Sequence, residues 1–124
     1  SPWIALARSL TYASKPSRCV VLTHAAYSPM LVDAGLAFQD AGRCPFEARK
    51  ATAQGRVLDA DFDRRTSGGF VDPVELGDVL GDFMRVLVRE WVKAGLTALQ
   101  DERPDLCLLC GQTSAMVYGG VVCE

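Results

Sequence analysis

The longest periodic stretch in the chain runs from Asp72 to Gln100 (DPVELGDVLGDFMRVLVREWVKAGLTALQ), and it restricts the fold more than any other feature. Leu76, Val79, Leu80, Phe83, Val86, Leu87, Trp91, Ala94 and Ala98 recur at steps of three and four, while Asp78, Asp82, Arg85, Arg89 and Lys93 fill the opposite stripe. That spacing predicts one long amphipathic helix, with one face in a core and one in water. Asp72 is placed to cap the free N–H groups, Pro73 occupies the first turn where its missing N–H costs nothing, and Glu75 completes an acidic capping box. Asp101 and Pro104 are expected to end it. At about 1.5 Å per residue the helix is about 40 Å long, against a radius of gyration of about 14 Å for a compact chain of this size. It must therefore cross the domain or bend, and Gly77, Gly81 and Gly95 are the places for a bend or for close approach of a neighbour.

Composition sets what can pack around this helix. A chain of 124 residues, nearly half of them apolar, supports one core without obligatory disulfides or metal. Residues 1–124 are read as a single globular domain. Neither Met nor a charged-then-apolar leader opens it, so excision from a longer chain is expected. A formal net charge of −2 leaves no basic surplus for a phosphate backbone, and nucleic acid is not an expected partner. Five cysteines at irregular spacing fit a reducing, intracellular compartment better than a secreted disulfide scaffold. Arg outnumbers Lys ten to three and Asn is absent, the bias of a GC-rich genome.

Taken in order, Trp3, Ile4, Leu6, Ala7 and Leu10 predict a short helix that ends before Pro16. Arg18 to Thr23 (RCVVLT) is β-branched and reads as a buried strand. A second helix is expected from Pro29, with Met30, Leu31, Ala34, Ala37 and Phe38 on one face, stopping at Gly42. A helical turn covers Pro45 to Ala51. Arg56 to Asp63 (RVLDADFD) alternates, with Leu58, Ala60 and Phe62 against Val57, Asp59, Asp61 and Asp63, and predicts a half-exposed strand. The uncharged run after Leu106 is long enough to raise the question of a membrane span, but Gly111, Gln112, Thr113 and Ser114 interrupt it. Two strands around a turn, near Leu106 to Cys110 and Met116 to Val122, are expected instead. The fold class is α+β, a small mixed or antiparallel sheet packed against the central helix and shorter N-terminal helices.

Chemistry-bearing groups are few. Cys107-Leu-Leu-Cys110 is the best metal candidate, since two thiolates two residues apart can turn toward one tetrahedral zinc; further ligands would come from Cys19, His24, Cys44 or Cys123. Against this, Leu106, Leu108 and Leu109 make the cysteines ordinary apolar residues of a strand. His24 is the single histidine, at the junction of strand and helix where sites form in α/β proteins. With Cys44 or Cys19 it could make a Cys–His nucleophile oriented by Asp33 or Asp40, but nothing in the sequence brings these groups together. Asp59, Asp61 and Asp63 are spaced like a calcium loop, yet Arg64 stands where Gly is needed and Phe70 where Glu is needed. Arg64-Arg65-Thr66-Ser67 has the form of a basophilic kinase site.

Cys107 to Glu124 (CLLCGQTSAMVYGGVVCE) resembles the first zinc finger of nuclear-receptor DNA-binding domains, where a Cys pair and Gly precede Tyr-Gly and then Cys-Glu. Its spacing is one residue short of that pattern, and no basic recognition helix is expected.

With no catalytic or cofactor group assigned, the leading expectation is a non-enzymatic interaction or regulatory module. It would bind a protein partner, or itself as a homodimer, through an apolar face made by Leu106, Leu108, Met116, Val117, Tyr118 and Val121. The alternatives are a small cysteine-dependent enzyme using His24 and a module stabilised by zinc on Cys107 and Cys110.

Overall fold

A computed structural model describes residues 1–66, 68 and 72–123, and the side chains of all of these except Asp61, Arg65, Thr66, Gln112, Thr113, Val121 and Cys123. The order is α1 (Pro2–Thr11), β1 (Val20–Thr23), a 3-10 turn (Ala25–Tyr27), α2 (Ser28–Asp33), β2 (Ala37–Asp40), α3 (Pro45–Ala51), α4 (Ala53–Thr66), α5 (Pro73–Glu102) and α6 (Gln112–Cys123). The class is α+β, dominated by helix. Contacts divide the chain into two compact units, one made of Ser1–Gly42 with Trp91–Glu124, the other of Arg43–Glu90.

The long helix forms as its periodicity requires. Asp72 caps α5, its Oδ1 accepting from the Val74 N–H at 2.9 Å. Phe83 (3% exposed), Leu87 (0%) and Trp91 (5%) make the buried stripe, and Asp82 pairs with Arg85 at 2.8 Å on the wet side. Leu80 and Val86, expected in the core, are exposed, because the buried stripe is narrower than the apolar one. The helix ends at Arg103, which has φ +44° and donates its N–H to the Leu99 carbonyl at 3.0 Å; Pro104 then bars continuation.

The sheet is a two-stranded parallel pair, not mixed or antiparallel. Val20, Val21, Leu22 and Thr23 stand opposite Ala37, Phe38, Gln39 and Asp40. Its second strand comes from the segment expected to continue a helix to Gly42. The cause is Gly35 at φ +70°. Gly35 N–H bonds to the Val32 carbonyl at 2.9 Å and Leu36 N–H to the Leu31 carbonyl at 2.9 Å, the paired bonds of a Schellman stop, with Leu31 and Leu36 both buried. The chain leaves α2 extended, and the helical crossover brings β2 alongside β1 in the same direction.

Two other expected strands are helical. Residues 56–63 lie in α4: the Thr52 hydroxyl accepts from the Gly55 N–H at 3.0 Å and caps the helix. Arg49 of α3 then reaches across, its Nε donating to Asp59 Oδ1 at 2.7 Å and its guanidinium standing 5.6 Å from the Phe62 ring centre. Asp59 and Phe62, on opposite faces of a strand, share one face of a helix. Residues 116–122 lie in α6, and the hairpin expected over 106–122 does not form. Gly111 at φ +91° precedes α6, and the Ser114 hydroxyl donates to the Cys110 carbonyl at 3.0 Å. An uncharged apolar run satisfies either structure, and here Tyr118 decides it by packing its ring on the backbone of Gly95 in α5. Among the described residues, no helix is long and apolar enough to cross a membrane.

Candidate functional site

His24 and Cys44 each have local partners. His24 ends β1, with Nδ1 2.9 Å from the Gly42 carbonyl oxygen and its ring beside those of Tyr27 and Trp91, at centroid distances of 6.4 and 5.6 Å. That is a hydrogen-bonded ring in an aromatic setting. Cys44 belongs to the other unit, where it is buried and caps α3, its Sγ accepting from the Glu47 N–H at 3.4 Å. Asp40, a candidate to orient a catalytic histidine, accepts from the Gly42 N–H at 3.0 Å and so closes a turn.

Cys107 and Cys110 lie in residues 106–110, which carry neither turn nor bend. A Cys-x-x-Cys pair converges on one metal, or closes a disulfide, when the chain turns between the cysteines. Cys107 is half-buried and Cys110 exposed, and desolvation pushes the Cys110 thiol above its ordinary value, away from thiolate. Among the described residues, no three of His, Cys, Asp and Glu come together as a metal site. The Cys123 side chain and Ser67 of the kinase-like motif lie outside the described residues.

What the first unit does present is an apolar cleft of about 1070 Å³. Its walls include α1, β1, α2, the last turns of α5, residues 106–110 and α6. No residue of α1 is buried: Trp3, Leu6 and Leu10, its apolar side chains at three- and four-residue spacing, remain 49%, 40% and 39% exposed along the cleft. Also in its lining, Leu106 is 74% and Leu108 54% exposed. Small-ligand pockets fall at about 300–1,000 Å³, so this volume stands at or beyond their upper end.

A polar cluster fixes the cleft at the end of α5. Glu102 accepts from Arg18, which leads into β1, and from Gln39 Nε2 of β2 at 3.0 Å. The Arg18 hydrogen bond first, and the Gln39 bond second, hold the Glu102 carboxyl below its ordinary value. These contacts tie helix and sheet together at one end of the cleft.

Of the six residues expected to form an apolar face, Leu106, Leu108 and Tyr118 line the cleft. Met116 is exposed, Val117 is half-buried, and the Val121 side chain lies outside the described residues. Trp3, Leu6 and Leu10 were not foreseen in this role; their sequence signal was the apolar stripe of α1, which was read only as marking a short helix. Neither the protein-family models, nor the curated proteins, nor the solved structures include a match to this chain.

Proposed function

We propose that the chain is a non-enzymatic protein-binding module that seats an apolar segment of a partner in the cleft beside α1. The observation that carries this is the exposure of Trp3, Leu6 and Leu10 on a helix with no buried residue, facing a cleft rather than a core. Full burial of a Leu or Trp contributes about 1.5–3 kcal/mol, so covering what remains exposed of these three supplies about 3 kcal/mol toward binding. The size and apolar walls of the cleft suit an extended or helical peptide better than a small polar metabolite.

Selection of random peptides on the immobilised full chain tests this function. Enrichment of apolar peptides is expected, with loss of binding in Leu10→Lys and an unchanged melting temperature, since Leu10 is exposed. The function is excluded if the full chain enriches no peptide and does not self-associate.

A further inference from the structure

We infer that the unit Arg43–Glu90 is an insertion that opens on its own, and that the ion pair between Arg43 and Glu90 is the clasp that closes it. The first unit stays folded in that opened form and keeps the cleft, whose described walls all belong to it. The inference stands whether or not the cleft takes a peptide.

The chain enters the second unit at Arg43 and leaves it at Glu90, and those two residues are bonded to each other. Arg43 Nε donates to Glu90 Oε1 and Oε2, each at 3.1 Å, and Arg43 Nη2 also donates to Oε1. A guanidinium fork on a carboxylate is a directional, charge-assisted contact, and here it joins the two ends of one stretch of chain. Within that stretch α3 and α4 pack on each other, Arg49 donates to Asp59, and Cys44, Ala48, Leu58, Phe83 and Leu87 are buried. A segment with packing of its own and joined ends is the kind that opens cooperatively. It is the shorter of the two units, and shorter chains bury a smaller fraction of their surface, so it opens first.

His24 does the corresponding work inside the first unit. Gly42 is the last residue of that unit before the chain leaves it, and Trp91 is the first after it returns. A carbonyl oxygen only accepts, so His24 Nδ1 donates to Gly42 at 2.9 Å, while the His24 ring stands 5.6 Å from that of Trp91. One side chain therefore grips both points of departure and return, which makes His24 a positioning residue. Leu31, Leu36, Ala41 and Trp91 are buried in this unit, and Tyr118 is seated on Gly95. The last turns of α5 thus have tertiary support of their own when the turns before Trp91 melt.

The test is native-state hydrogen exchange on the full chain in low denaturant, read by NMR at the amides of Ala48 and Leu87 in the second unit and of Ala41 and Gly95 in the first. Ala48 and Leu87 are expected to share one opening, and to be at least about tenfold less protected than Ala41 and Gly95. Glu90→Gln should speed exchange at Ala48 and Leu87 about three- to tenfold and leave Ala41 and Gly95 unchanged; the effect is no larger because solvent screens a pair that is 40% and 34% exposed. Arg43→Lys keeps the charge but loses the fork, should act in the same direction, and decides alone if Glu90→Gln unfolds the chain. Arg85→Ala removes a different ion pair of the same unit, away from its ends, and should change these rates no more than about twofold. His24→Ala should do the reverse of Glu90→Gln, speeding Ala41 and Gly95 alone. A single opening shared by all four amides overturns separate opening. Equal acceleration of all four by Glu90→Gln, no acceleration by it, or as large an effect of Arg85→Ala overturns the clasp. His24→Ala acting on Ala48 and Leu87 as strongly as on Ala41 and Gly95 overturns the role of His24.

Discussion

Tyr118 rests on Gly95: a Cβ built on Gly95 would stand 2.7 and 2.8 Å from two carbons of the Tyr118 ring. One missing side chain in α5 thus makes the seat for α6, and burial there pushes the Tyr118 phenol above its ordinary value. Gly95→Ala is expected to destabilise, because overpacking costs about 1–3 kcal/mol while the gain in helix propensity returns about 1. Gly81→Ala in the same helix meets nothing within 4 Å and should stabilise by about 0.5–1 kcal/mol. Denaturant midpoints of the two variants decide the matter: a stabilised Gly95→Ala would mean that Tyr118 is not seated there.

The two faces of α5 are expected to differ in cost. Leu87 is fully buried and Phe83 nearly so, and Leu87→Ala or Phe83→Ala should lose about 2–5 kcal/mol through the cavity left behind. Arg85→Ala removes an exposed partner of Asp82 and should change stability by less than about 0.5 kcal/mol. Leu80→Ala should fall between them, since Leu80 is 45% exposed. Equal losses at Leu80 and Leu87 in chemical denaturation would contradict the narrow buried stripe.

Arg103 is the one described non-glycine residue with positive φ, at +44°. An L-residue in that region costs about 1–2 kcal/mol, part of which glycine gives back through its freer unfolded state. Arg103→Gly should therefore stabilise by about 0.5–1 kcal/mol, and Arg103→Ala should not. A thermal melt of both variants separates backbone strain from the loss of charge: equal gains in the two would assign the effect to the guanidinium.

What was legible in the sequence follows the physics of each segment. α5 carries an N-terminal cap, an acid in its first turn and thirty residues of helical period, so its existence and length were marked by several local signals at once. α1, β1 and α3 were also marked by proline positions and β-branched residues. Residues 56–63 misled because Leu58 and Phe62 fit a period of two and a spacing of four equally well; the deciding contacts, Thr52 to Gly55 and Arg49 to Asp59, depend on how the preceding turn folds. Gly35 was readable as a helix stop and was passed over in favour of the apolar stripe around it. Residues 106–122 carry no charge to choose a face, and Gly119 and Gly120 disfavour helix, so only the tertiary seat of Tyr118 on Gly95 reveals α6. The cleft was hidden for another reason: its walls come from segments spread from α1 to α6, and what was read as a surface was the apolar character of residues 106–122 alone.

Acid should loosen the chain through two carboxylates. Hydrogen bonding from Arg43 holds Glu90 below its ordinary value of 4.5, and hydrogen bonding from Arg18, then Gln39, does the same for Glu102. A carboxyl whose folded pKa is depressed binds fewer protons in the folded than in the unfolded chain, so its stabilising contribution is fully present above the unfolded value. That contribution is lost as pH falls below 4.5 and through the lower folded values. The melting temperature is expected to hold steady from neutral pH to this point and then to drop. Glu102→Gln and Glu90→Gln should each melt lower at neutral pH and show a shallower acid slope, because each removes one of the groups that titrates. Carboxyl titration by NMR gives the direct check. Arg18→Ala should move the Glu102 midpoint up by more than Gln39→Ala does, and an unmoved midpoint in Arg18→Ala would remove Arg18 as the cause.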